Sequence, residues 1–230
     1  MRPPLEFLMP PEMGAELIYS FVIIACSLMV YYGTKELYEL SSYKGIKYFR
    51  QAFLFFAIAY FFRYSIRFIL SFFNIKTMHE FLPMSLGPMG PLTLFLFMYF
   101  SSMAVFYLLY SVMWKRWNGN PKIIYIFHAV AVVISLVSII SRRNDILLGI
   151  NLILLILISF VYYIAHKDSK TKKKGHNLYA IYMLLFVFWI LNIIDILIPS
   201  FLQQIQLLIY LASSGIFLAI LYRVLKKAGN

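Results

Sequence analysis

Seven runs of apolar residues divide the chain, at about 15–33, 47–73, 91–113, 122–140, 145–165, 177–199 and 201–225. Each reaches the roughly 20 residues that a helix needs to cross the hydrocarbon of a bilayer. Within the runs, apolar and polar positions do not alternate, as ILLGINLILLILISFVYY at 146–163 shows. A barrel strand would alternate over about 10 positions, and a helix is the other structure that satisfies every backbone N–H and C=O in lipid. The pattern predicts an all-α, seven-transmembrane-helix bundle forming a single domain over 15–227, after an N-terminal segment at 1–14. Only Pro199 and Ser200 separate the last two runs, which predicts a tight helical hairpin.

Composition turns this pattern into a class. Hydrophobic residues make up 62% of the 230 positions and charged residues 13%, against about 25% charged in soluble domains. A water-soluble core cannot hide that much apolar surface, so the chain reads as an integral, multi-pass protein of the cell membrane. Basic residues orient it. The loops after the first, third and fifth runs and the C-terminal end hold fifteen Lys and Arg, whereas the opposite side holds Arg2, Lys76, Arg142 and Arg143. Positive charge collects on the cytoplasmic side, which puts the N-terminus outside and the C-terminus in the cytoplasm. The net charge of +12 therefore serves topology and contact with anionic membrane lipids. No soluble domain carries a basic stretch, which argues against nucleic acid. Lys172, Lys173 and Lys174 could also dock a partner. MRPPLEFLMPPEMGAEL has four prolines and no apolar run after its basic start, so a cleavable signal is not expected and the first helix should start near Gly14. The lone Cys26 excludes an intrachain disulfide.

Parts of the pattern repeat. Runs 3 and 7 align without gaps at an offset of 111, pairing Tyr99 with Tyr210, Ser102 with Ser213, Phe106 with Phe217 and Lys115 with Lys226. Runs 1 and 5 share VYY, at 30–32 and 161–163, and runs 2 and 6 begin with Lys44–Gly45 and Lys174–Gly175. Each pair crosses in the same direction, which predicts a parallel 3+1+3 duplication with run 4 as linker. In span number, orientation, length and short loops the chain resembles the microbial rhodopsins, and with its 3+1+3 plan it is similar to the SWEET sugar carriers. The first resemblance implies a retinal-binding lysine inside run 7. FLQQIQLLIYLASSGIFLAILYRVLKK has none before Lys226, so retinal is not expected and no cofactor is implied. The second implies proline-hinged helices, and runs 1, 2 and 5 hold no proline inside the span.

Polar residues inside the runs are the candidates for function. A charge near the bilayer centre costs about 2.5–3.5 kcal/mol on insertion scales unless it finds a partner or water. Arg63 and Arg67 stand in AIAYFFRYSIRFIL at 57–70. With Phe56, Tyr60, Ser71 and Asn74 they fall at spacings of three and four, which is one helical face. On run 6, Tyr182, Trp189, Asn192 and Asp195 share a face. Asp195 is the carboxylate deepest in any run and the natural partner for either arginine. Asn151 and Gln206 lie in the same outer half. Together these residues predict an aromatic-walled polar pocket open to the outside. Two guanidiniums facing one carboxylate leave one positive charge, which an anionic ligand would complete by accepting a guanidinium fork. The plainer alternative is a buried Arg67–Asp195 pair that fixes helix register.

Enzymatic chemistry finds little support. His79, His128, His166 and His176 show no metal-ligand spacing. Ser–His and Cys–His pairs lack matched depth, and no glycine loop cradles phosphate. Three readings stay open. One is a receptor-like or sensor-like bundle that signals through a membrane partner or a second copy. Another is a carrier of a small solute. The third is a structural subunit, for which ASSG at 212–215 offers a small-residue contact.

Overall fold

The computed structural model describes residues 11–72, 89–141, 144–171, 178–198 and 203–228, with side chains for 14–64, 91–141, 145–168, 179–198 and 204–226. It is all-helical: α1 Pro11–Gly33, α2 Lys35–Ser41, α3 Lys44–Phe72, α4 Met89–Met113, α5 Lys122–Ser141, α6 Asn144–Thr171, α7 Leu178–Leu197 and α8 Gln203–Ala228. The seven long helices match the seven apolar runs to within a turn or two. Among the described residues, six (α1, α4, α5, α6, α7 and α8) are long and apolar enough to cross a membrane. α3 has the length, but carries Lys44, Lys47, Arg50, Arg63 and Arg67. α1 is helical from Pro11, ahead of the expected Gly14. The hairpin at Pro199–Ser200 and the loop holding His79 lie outside the described residues, as do Lys172, Lys173 and Lys174.

The short α2 has no apolar periodicity to announce it. Thr34 closes its Oγ1 on the Val30 carbonyl at 2.7 Å, and Ser42 stops the helix in the left-handed region at φ 49°. Arg50 Nε then donates to the Tyr31 carbonyl at 2.9 Å, tying α3 back to α1.

Around the bundle, α1 packs on α3, α3 on α4, α4 on α6, α6 on α7, α7 on α8 and α8 on α1, while α5 lies outside this ring against α4. α3 and α7 therefore stand opposite each other. Side chains fill the middle: Phe53, Phe56, Phe188 and Phe217 are buried, with Phe188 and Phe217 rings 4.7 Å apart and Phe56 6.2–6.5 Å from both. Long helices consecutive in the chain alternate in direction, so the starts of α1, α4, α6 and α8 and the ends of α3 and α7 meet at one end. We call it the Glu16 end and the opposite one the Tyr43 end.

Candidate functional site

The polar faces of α3 and α7 meet just above the phenylalanine cluster, at the Glu16 end. Arg63 Nη2 donates to Asp195 Oδ2 at 3.3 Å. Its Nη1 lies 3.5 Å from Asn192 Oδ1. Tyr60 donates to the same oxygen at 2.9 Å, which leaves Tyr19 to donate to Tyr60 across 3.2 Å. Asn192 turns its oxygen toward this group because its amide nitrogen is bound to the Phe188 carbonyl one turn back, at 2.9 Å. The second Asp195 oxygen accepts from Gln206 Nε2 at 3.3 Å. Gln206 also donates to the Tyr210 hydroxyl at 2.8 Å, and Tyr210 to Glu16 Oε1 at 3.2 Å. One network thus joins α1, α3, α7 and α8.

The rings set its walls. The Arg63 guanidinium lies 5.2 Å from the centroids of both Tyr64 and Phe97, a cation–π distance. Tyr19 stacks on Tyr210 at 4.7 Å and meets Tyr60 and Tyr64 edge-on. The Asp195 side chain is 8% exposed and that of Arg63 22%. Removing two charges from water is costly, and the pair persists because each carboxylate oxygen has its own donor and the guanidinium has two acceptors and two rings. One group stands out. The Tyr64 hydroxyl, on a residue 3% exposed, has no hydrogen-bond partner among the described residues.

Of the residues expected at the site, Arg63, Asp195, Asn192, Tyr60 and Gln206 come together. Trp189 and Asn151 form a separate seam between α7 and α6. The indole Nε1 donates to the Asn151 carbonyl at 3.1 Å, and the Asn151 amide to the Leu147 carbonyl at 2.9 Å. Arg67 is on α3, with its side chain outside the described residues. Glu16, Tyr19, Tyr64 and Tyr210 were not expected. Glu16 was missed because an acidic residue in the first turn of a helix is ordinary. Its signal was the face it shares with Tyr19, three residues on. Glu16 also changes the charge balance inferred from sequence: among the described residues Arg63 stands with two carboxylates, Asp195 and Glu16.

The chain shares 34% identity over 225 residues with an uncharacterized protein of Archaeoglobus fulgidus, covering 98% of this chain and 95% of that protein. No family model matches the chain, and no solved structure matches it. The chain belongs to the family of the Archaeoglobus fulgidus protein.

Proposed function

We propose that this family consists of seven-helix integral membrane proteins with the N-terminus outside, which bind a small polar ligand in the Arg63–Asp195 network and act without catalysis through a membrane partner. α3 serves as the seventh crossing helix. Its 29 residues span about 43 Å at 1.5 Å per residue, and its arginine turns inward to Asp195 rather than to lipid. The fifteen-to-four distribution of basic residues supports the orientation, which makes the Glu16 end the outer one.

One observation carries the ligand reading. Arg63 is held between a carboxylate and two rings beside a buried phenol that has no partner among the described residues. A buried unpaired hydroxyl costs about 1–3 kcal/mol, and a ligand entering beside Arg63 would remove that cost. The test is thermal unfolding of detergent-purified chain against a panel of small solutes and lipids. The expected result is stabilisation of wild type that Arg63→Ala loses. A panel that shifts nothing, with a melting temperature that falls sharply in Asp195→Asn, would make the network a structural device.

A second reading, a solute carrier, draws on the burial pattern. At an offset of 131, Ser20, Ile23, Ser27 and Val30 of α1 match Asn151, Leu154, Ile158 and Val161 of α6, and all eight are buried. At 129, Ala52, Phe53, Phe56, Ala59, Tyr60 and Tyr64 of α3 match the six buried residues Ile181, Tyr182, Leu185, Phe188, Trp189 and Ile193 of α7. At 111, Met98, Ser102, Phe106 and Leu109 of α4 match buried Ile209, Ser213, Phe217 and Ile220 of α8. In the ring, each helix stands opposite its match, as a parallel 3+1+3 duplication requires, with α5 as the linker outside. Arg63 and Asn192 are counterparts at 129 and touch each other. The network then lies between the repeats, where carriers hold their solute. Flux of a stabilising compound into proteoliposomes would favour the carrier, and binding without flux the receptor.

A further inference from the structure

The side of α3 that faces away from the bundle changes character along its length. Phe49, Ala52, Phe53 and Phe56 turn inward and are buried. The other side reads Lys44, Lys47 and Arg50 in the first two turns, and then Leu54, Ile58 and Phe61. Spacings of three and four keep these six residues together on one side. Lys44 and Lys47 are exposed, Phe61 is 51% exposed, and Leu54 and Ile58 are partly so. A cationic start that gives way to apolar residues suits a helix passing from the headgroup layer into hydrocarbon. From Arg50 to Phe61 the rise is about 16 Å, roughly one leaflet.

The three cations lack the counter-charge that others at this end have. Lys35 lies 3.8 Å from Glu39, and Arg116 lies 3.4 Å from Asp168. Lys44, Lys47 and Arg50 form no ion pair among the described residues. Like charges one turn apart repel, and the first turns of a helix disfavour cations. An anion shared by the three would remove both penalties. Arg50 is already set in place for it. Its Nε donates to the Tyr31 carbonyl at 2.9 Å, and its guanidinium lies 4.8 Å from the Tyr31 ring centroid. That tie uses one of five N–H donors, and a guanidinium edge matches the geometry of a phosphate. A free anion would answer the cations alone. An anionic amphiphile answers the apolar continuation of the same face as well.

We infer that this face of α3 binds an anionic membrane lipid, with the phosphate on Lys44, Lys47 and Arg50 and an acyl chain along Leu54, Ile58 and Phe61. The inference rests on α3 as a crossing helix and is independent of the ligand network. Through Arg50 the bound phosphate joins α3 to the end of α1.

The test melts full-length protein in an uncharged detergent with phosphatidylglycerol, phosphatidylcholine or inorganic phosphate. Wild type is compared with Lys44→Gln/Lys47→Gln and with Lys122→Gln/Lys226→Gln, which removes two exposed charges from the same end. All four lysines are on the surface, so both variants should fold. Phosphatidylglycerol should raise the melting temperature of wild type, and the other two additions should not. Its apparent affinity should fall tenfold or more in the Lys44/Lys47 variant and less than twofold in the control. Equal losses in the two variants overturn the site and leave a diffuse attraction between charges. Phosphate that stabilises as well as the anionic lipid overturns the lipid as occupant. Phosphatidylcholine that stabilises equally overturns the headgroup contact, and so does a wild type that no lipid stabilises. Crossing by α3 is read separately, from thiols at Lys44→Cys and Asn74→Cys in the Cys26→Ala chain. They should react with an impermeant reagent from opposite faces of the membrane. Reaction of both from one face overturns the crossing, and the inference with it.

Discussion

The two ends of the bundle are closed by different means. At the Glu16 end, α3 meets α7 through charged and amide groups whose bonds have direction, and two of those residues are ionised. At the Tyr43 end, the helices meet through close backbone approach and rings. A Cβ added at Gly45 would lie 2.9 Å from the Ser111 carbonyl oxygen and 2.5 Å from the Tyr43 ring. The same Ser111 shares a hydrogen bond with the Tyr182 hydroxyl at 3.0 Å. Phe49 packs edge-on against Tyr182 at 6.1 Å, and Lys115 lies over Tyr43 at 5.1 Å. A polar ligand can compete for directed bonds between side chains. Nothing polar can replace a glycine against a carbonyl. The first closure suits a site that opens and the second a seal, which is what the proposed ligand site requires of the two ends.

Substitutions should separate the two closures by size. The largest effect belongs to Asp195→Asn. It leaves Arg63 as an uncompensated buried cation, a loss of about 3–5 kcal/mol for a broken buried pair, and should appear as the sharpest fall in detergent melting temperature. Gly45→Leu comes next. It forces side-chain atoms into the Ser111 carbonyl and Tyr43 ring, an overpacking cost of about 1–3 kcal/mol, measured in the same assay and unaffected by any compound that binds the network. Ser111→Ala removes the bonds to the Leu108 carbonyl and the Tyr182 hydroxyl and strands the latter, for about 1–2 kcal/mol. The smallest effect is that of Arg116→Ala. Its pair with Asp168 spans 3.4 Å, but both side chains are about half exposed, and exposed pairs contribute roughly 0–1 kcal/mol. A loss at Arg116 as large as that at Asp195 would break the comparison.

The fold was largely legible because lipid-facing helices need long uninterrupted apolar runs, and seven such runs became seven long helices. α2 was not, since seven residues, KELYELS, carry no periodicity and depend on Thr34 and Ser42 for their ends. Within the site, the Arg63–Asp195 link was legible because a deep carboxylate has few candidate partners, and the stripe of Tyr60 and Arg63 pointed at Asn192. The sequence left either arginine open as the partner of that carboxylate; Arg63, one turn deeper than Arg67, is bonded to it, and the Arg67 side chain lies outside the described residues. Glu16 and Tyr210 were hidden. An acid near a helix start and a tyrosine among eighteen carry no mark of their own, and only the packing of α1 against α8 brings them together. The proposed duplication had its sequence marks in fragments. Lys–Gly pairs gave runs 2 and 6 an offset of 130, whereas their buried faces align at 129, because burial follows the core and not the loop before it.

The proposed outward-opening pocket is tested most directly by thiol accessibility at the network itself. Asn192→Cys, in a chain whose buried Cys26 is replaced by Ala, would be expressed in sealed cells and in inverted vesicles and treated with a membrane-impermeant methanethiosulfonate. Modification from the outside face, little or none from the inside, and protection by a stabilising compound are the predicted results. A thiol that reacts from neither side in the folded protein, yet reacts fully after denaturation, would contradict the pocket and leave the network as a sealed strut.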